Sequence, residues 1–293
     1  MLADGGSGSM TATDQRHRFS IGPIECELLS DGGAQYAADM LAANVPVERL
    51  REALGGRLDE QGRFLAPYSP LLIRADGKLI LVDSGLGELA QTVGEPAGRL
   101  LRSLESVGVT PADIQIVLLT HCHPDHIGGL TEIRSGQRVP VFSTARHYIW
   151  QTEWDFWTSE ESLGRLPDML AAPARVQLPP LRAAALIEPV GSETEVAHGV
   201  HLLPAPGHTP GHAVVSIRSG NDSALYAGDT VLDQLNFEHP EWYSPVDAIP
   251  DVMIATRRRL LEMAAHEGSI FTGFHVGPGR VSRRGPAFHL EPV

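Results

Sequence analysis

Between residues 70 and 280 the chain runs in short apolar blocks whose period changes from two to three or four and back. The runs 71–75 (LLIRA) and 79–83 (LILVD), split by Asp76-Gly77, predict a hairpin of buried strands. Leu100, Leu101, Leu104 and Val107 recur at helical spacing, with Gly108 as a stop. The run 114–120 (IQIVLLT) predicts a central strand, and 144–157 reads as a helix. The segment 197–203 predicts a strand pair, and 213–218 with 223–227 a second hairpin across Gly220-Asn221-Asp222. A helix is expected over 250–266, with Pro250 in its first turn, an apolar face through Met253, Ile254, Leu260, Leu261 and Ala264, and Gly268 as its end. Strands and helices thus alternate in two similar halves, each delivering polar residues just past a strand end. That arrangement is α/β or α+β with two sheets. Residues 37–70 are less regular and read as a lid or a dimerisation arm, which makes a homodimer an expectation.

Composition narrows the setting. With 293 residues, 42% of them hydrophobic and 20% charged, the chain can bury a sizeable core, and residues 11–293 read as one domain. No apolar run approaches the roughly 18–20 residues of a membrane helix. A net charge of −13 opposes phosphate backbones and anionic membranes, so neither nucleic acid nor membrane is expected as a partner. Cys26 and Cys122 are too few and too far apart for a disulfide framework. Residues 1–10 (MLADGGSGSM) read as a linker or an expression scar, and no secretory segment follows Met10, so a reduced, cytoplasmic location is expected.

The chemistry concentrates in His121-Cys122-His123-Pro124-Asp125-His126, directly after the 114–120 run. Three imidazoles and a carboxylate in six residues are hard to reconcile with a solvated loop. In an extended or turn conformation His121 and His123 point the same way and can grip one metal, while Asp125 and His126 lie beyond the turn and can face a second. Nitrogen and oxygen donors of this kind suit Zn²⁺, Mn²⁺, Fe²⁺ or Co²⁺. One loop cannot complete two metal shells. Further donors follow at later strand ends, in PGHTPGH (206–212), AGDT (227–230) and GFH (273–275).

In these motifs, taken in order, the chain resembles the metallo-β-lactamase superfamily of metal-dependent hydrolases, to which Leu81-Val82-Asp83-Ser84-Gly85 adds an early strand and turn. The resemblance implies an αββα sandwich of two mixed sheets flanked by helices, with metals at one edge. It implies that His121, His123 and His208 hold one divalent ion, zinc first among the candidates. Asp125, His126 and His275 would hold the second, Asp229 would bridge both, and Asp83 would orient a ligand. The implied activity is that of a dinuclear hydrolase, in which a metal-bridging hydroxide cleaves a small ester, lactone or phosphotriester. Asp125 and Asp229 would serve catalysis, Asp125 either as a metal ligand alone, the simpler reading, or by also taking or returning a proton.

Departures from the pattern select among branches. The commonest class B β-lactamases carry Arg where this chain has His126 and Cys where it has Asp229. Oxygen-reducing diiron relatives carry Glu at the position of His123. PYSPLLIR (67–74) and NFEHPEW (236–242) resemble methyl parathion hydrolase and the acyl-homoserine lactonases; some of the lactonases place a substrate-binding Tyr where this chain has Leu232, a departure that leans toward the parathion-hydrolase-like subgroup. A glyoxalase II-like thioesterase is the alternative enzyme, disfavoured by a single lysine, Lys78, for binding glutathione carboxylates. A metal-binding sensor without catalysis is the alternative outside enzymes.

Other residues have blander readings. His212 is expected to support the site and His239 to lie in a surface loop or at the pocket rim. His147, His198, His201, His266 and His289 read as surface or partly buried groups. Trp150, Trp154 and Trp157 would share one helix face, chiefly for packing, and Trp157, Phe274 and Leu232 are candidates for the wall of a pocket that takes a hydrophobic small molecule. Cys122 should point away from the metals, and Arg257, Arg258 and Arg259 should form a solvated face.

Overall fold

The computed structural model describes residues 16–94 and 96–293, so the 1–10 linker lies outside the described residues. Two mixed seven-stranded sheets face one another. The first runs, in spatial order, His17–Ile21, Ile24–Leu28, Leu71–Ala75, Lys78–Val82, Ile116–Leu119, Arg146–Trp150 and Ile187–Val190. Its first four strands pair antiparallel and its last three join in parallel. The second runs Thr194–Ala197, Val200–Pro204, Ala213–Ser219, Asp222–Tyr226, Ile270–Thr272, Gly279–Arg284 and Ala287–Pro292.

Three apolar layers result. Ile73, Ile80, Val82 and Leu118 from one sheet meet Leu202, Val215, Ile217 and Tyr226 from the other to form the central core. On the outer face of the first sheet, Leu81, Val117 and Leu119 pack under helices Leu100–Glu105, Gln151–Trp157 and Asp168–Ala183. On the outer face of the second, Val214, Leu225 and Phe271 pack under Leu260, Leu261 and Ala264 of the long helix Pro250–Glu267. Each central strand is buried on both faces, which is why these strands read as unbroken apolar runs. The long helix ends where expected, with Gly268 in the left-handed region (φ 65°).

Both hairpins and the strand pair form as the sequence predicts, with Leu71 opposite Val82, Ala197 opposite Val200, and Val215 opposite Tyr226. The expectation of a helix over 144–157 is corrected. Arg146–Trp150 is a strand between Ile116–Leu119 and Ile187–Val190, and the helix begins at Gln151. Trp150 therefore shares no helix face with Trp154 and Trp157. The spacing of aromatics mimicked a helix, but a slot between two parallel strands dictates extended backbone. The helix Asp168–Ala183 is absent from the sequence reading because Pro173, Pro179 and Pro180 lie inside it. Its inward face, Ala171, Ala174, Leu178 and Leu181, keeps helical spacing and supplies the burial that holds it.

The solvated face expected of the arginines is corrected in part. Arg257 is wholly buried and donates to the carbonyls of Thr230, Pro240 and Trp242, whereas Arg258 and Arg259 make exposed contacts. His147 is likewise fully buried instead of lying near the surface. Residues 37–70 pack on the chain itself: Leu41, Leu50, Leu54 and Phe64 cluster with Leu235 and Trp242 beside the site. No helix among the described residues is long and apolar enough to cross a membrane.

Candidate metal centre

The polar loops collect at one edge of the sandwich because each follows the end of a central strand. Asp83 follows Lys78–Val82, His121 to His126 follow Ile116–Leu119, and His208 follows Val200–Pro204. Asp229 follows Asp222–Tyr226 and His275 follows Ile270–Thr272. Gly228, at φ 50°, turns the backbone so that Asp229 faces inward, and a Cβ there would sit 2.7 Å from His212 Nε2.

Two groups of donors meet in this edge. His121, His123, His208 and Asp229 each offer an atom within 4.8 Å of the others, and so do Asp125, His126, Asp229 and His275. Asp229 belongs to both. His208 Nε2 lies 2.9 Å from His123 Nδ1 and 3.4 Å from an Asp229 oxygen, and His126 Nε2 lies 3.2 Å from the other. His121 Nε2, His126 Nε2 and Asp229 Oδ1 are buried with no hydrogen-bond partner among the described residues. Unpaired buried nitrogen and oxygen atoms converging in this way are costly by themselves and fit divalent transition ions of the zinc type.

Neighbouring groups aim these donors. Asp83 accepts from His126 Nδ1 at 2.8 Å and from the Thr120 amide and hydroxyl at 2.9 and 2.8 Å, turning His126 Nε2 toward the centre. Asp247 holds His208 Nδ1 at 2.6 Å, and the Pro67 carbonyl accepts from His275 Nδ1 at 2.9 Å. His212 Nε2 accepts the Asp229 amide at 3.1 Å, which places it behind the centre. Glu153 is completely buried and accepts from the Cys122 amide at 2.9 Å, the Thr209 hydroxyl at 2.7 Å and the Gly211 amide at 3.0 Å. One carboxylate thereby ties the 121–126 loop to the 206–212 loop.

Electrostatics follow the packing. Burial, reinforced by neighbouring imidazoles, pushes His121 and His123 well below the usual histidine range, so both are neutral lone-pair donors. Burial works the same way on His126, but Asp229, Asp83 and Asp125 outweigh it and hold its pKa high. His208 follows that pattern, raised to about 9 against burial by Asp229 and Asp247. Burial drives His212 down to about 3 and Glu153 up to about 7.

The centre opens into a cavity of about 570 Å³ whose wall is chiefly apolar, including Leu41, Phe64, Leu89, Leu170, Val176 and Leu232. His123, Asp125, His208, Asp229 and His275 form its floor. Trp157 and Phe274 stand behind the imidazoles instead: Trp157 meets His123 edge-on at 5.6 Å and Phe274 lies 4.0 Å from His126. Trp150 and Trp154 do not line the cavity. Cys122 packs into the outer apolar layer, away from the donors. His239 stacks on Trp242 at 4.0 Å, outside the cavity wall. Asp247, Glu153, Tyr36 and Tyr68 are neighbours of the site that sequence reading missed. Glu153 alone carried a local signal, a carboxylate four residues before Trp157 on the helix face read as apolar.

The chain is similar to several known proteins. The "Probable metallo-hydrolase" of Mycobacterium bovis is 30% identical over 177 residues, 54% of this chain and 55% of that protein. An N-acyl homoserine lactonase of Bacillus thuringiensis is 28% identical over 173 residues, 59% of this chain and 60% of that one. The chain thus spans little more than half the length of the curated relatives it matches first. Among solved structures, AidC, a dizinc quorum-quenching lactonase in complex with a product, superposes with a TM-score of 0.83 at 27% identity, over 95% of this chain and 97% of that one. The hydrolase AbOPH shares the fold, with a TM-score of 0.85 at 23% identity over 97% and 99%. The sequence profile of the Metallo-beta-lactamase superfamily matches residues 66–270, and the chain belongs to that superfamily.

Proposed function

We propose that this chain is a dinuclear metal-dependent hydrolase acting on a lactone or ester with an apolar acyl group. The observation that carries the reading is the shared Asp229 between two donor groups at the floor of an apolar cavity. His121, His123 and His208 would hold one ion and Asp125, His126 and His275 the other, with Asp229 common to both. Two divalent cations there would supply Lewis acidity and a water of lowered pKa. The chain's own residues do the rest. Asp83, Asp247 and the Pro67 carbonyl fix the ring orientation of His126, His208 and His275. The apolar wall takes a hydrocarbon chain and excludes water from the floor. Asp125, whose side chain is 14% exposed at that floor, would carry a proton between substrate and solvent.

Support for the substrate class comes from the lactonase relatives. A thioesterase acting on a glutathione conjugate is less well served. The only cation on the cavity wall among the described residues is Arg138, already paired with Glu88 at 3.2 Å. The test combines metal analysis with turnover of a decanoyl-homoserine lactone, an aryl ester, S-lactoylglutathione and paraoxon, each with and without chelator. About two ions per chain and chelator-sensitive turnover, fastest on the lactone or the ester, are expected. Fewer than about one ion per chain after reconstitution with Zn²⁺ or Mn²⁺ would overturn the ligand set. Preference for S-lactoylglutathione or paraoxon would overturn the substrate class.

A further inference from the structure

Two phenols at the cavity floor have one more proton than they have protein partners. Tyr36 lies on the strand Gly33–Ala37, and Tyr68 follows the antiparallel strand Arg63–Pro67. Their hydroxyls are 2.6 Å apart, and both side chains line the cavity with Asp125, Asp229 and His275. Tyr68 is pinned by a stack on Phe274 at 5.5 Å and an edge contact with His275 at 5.7 Å. Among the described residues, neither hydroxyl has any other hydrogen-bond partner.

A pair of hydroxyls forms one bond between them and leaves one proton over. Tyr68 is only 1% exposed, whereas Tyr36 is partly open to the cavity. If Tyr36 donated, the remaining proton would be left without a partner on the oxygen of the more buried ring. If Tyr68 donates, the remaining proton belongs to Tyr36 and faces the cavity. The second direction satisfies the pair. The other hydroxyls on the wall are spent, Thr92 on the Leu89 carbonyl at 2.7 Å and Ser244 on the Met40 carbonyl at 2.7 Å.

We infer that Tyr36, oriented by Tyr68, donates a hydrogen bond to an acyl oxygen of the substrate that gains charge as its carbonyl carbon is attacked. A neutral donor in an apolar cavity strengthens its bond as that oxygen becomes anionic, which favours the transition state over the ground state. The ligand this donor fits is an acyl compound with a hydrocarbon tail and a carboxyl-level oxygen. The inference rests on the proposed hydrolase reading.

The test uses the full chain with decanoate, a tail carrying an anionic carboxylate, as the binding probe. Titration calorimetry on chelated protein should show Tyr36→Phe binding decanoate about 10-fold more weakly than wild type, and Tyr68→Phe less weakened. Zinc stoichiometry should be equal in all three. With ¹³Cζ-labelled tyrosine, the Tyr36 resonance should move on adding decanoate. On the best ester or lactone, Tyr36→Phe should lower kcat by about 10- to 100-fold with KM little changed.

Wild-type decanoate affinity in Tyr36→Phe, or an unmoved Tyr36 resonance, would overturn the donor assignment, as would wild-type protein that binds no decanoate. If wild type turns over substrate and Tyr36→Phe matches it, the donor assignment alone falls. If wild type binds no zinc and hydrolyses nothing while Tyr36→Phe still weakens decanoate, the hydrolase reading falls and the donor stands.

Discussion

His147 shows how far a single side chain can depart from its sequence context. No motif surrounds it, yet it lies between two parallel strands with Nδ1 on the Ala145 carbonyl at 3.1 Å and Nε2 unpartnered among the described residues. Burial pushes its pKa down to about 4. The unfolded chain, at about 6.5, takes the proton first as pH falls, so stability is full above that value and is lost as pH drops toward 4. For chelated protein, denaturant unfolding should show wild type losing about 3 kcal/mol relative to His147→Leu between pH 7 and pH 4. Parallel stability curves for the two would refute the burial argument. By contrast, the donors of the candidate centre were legible as residues because H-x-H-x-D-H packs several imidazoles and a carboxylate into one loop. Tyr36 and Tyr68 were not, since their pairing depends on two strands meeting.

At the scale of elements, the long helix Pro250–Glu267 was legible in length and ends but not in its most demanding contact. Three consecutive arginines read as solvated, and rotation about the helix buries the first of them alone. Arg257 carries its charge into the interior, where Asp247 and Glu241 offset the desolvation and three carbonyls accept its protons. Asp247 also holds His208, so one carboxylate acts on both the Arg257 charge and the candidate centre. Arg257→Ala should cost about 3 kcal/mol or more by leaving those buried carbonyls without their donor, whereas Arg258→Ala should stay within about 0.5 kcal/mol. Urea unfolding of both variants checks this, and equal costs would return Arg257 to the surface class. Hairpins with Asp76-Gly77 and Gly220-Asn221-Asp222 were legible because turn chemistry is local. The Arg146–Trp150 strand and the proline-bearing helix were not, because neighbouring strands in one case and a buried face in the other override local preference.

For the whole molecule, the two sheets bring together five loops that carry Asp83, His121, His208, Asp229 and His275, nearly 200 residues from first to last. The cluster concentrates buried imidazoles and carboxylates that hydrogen bonds alone do not satisfy. An ion that binds only the folded chain stabilises it by mass action, about 4 kcal/mol at a thousandfold excess over its Kd. Zinc-loaded protein should therefore melt several degrees above chelated protein, at about 2 °C per kcal/mol for a chain this long. Identical melting temperatures would count against these donors as a metal site.

Residue order along the chain was enough to place the polar motifs after strands and to indicate two sheets, because apolar periodicity, turn residues and donor spacing are local properties. The Glu153 tie between loops arises differently, as do the burial of Arg257 and the meeting of the Tyr36 and Tyr68 hydroxyls. Each depends on distances between segments far apart in the chain and on exclusion of water, and those exist only once the sheets have packed.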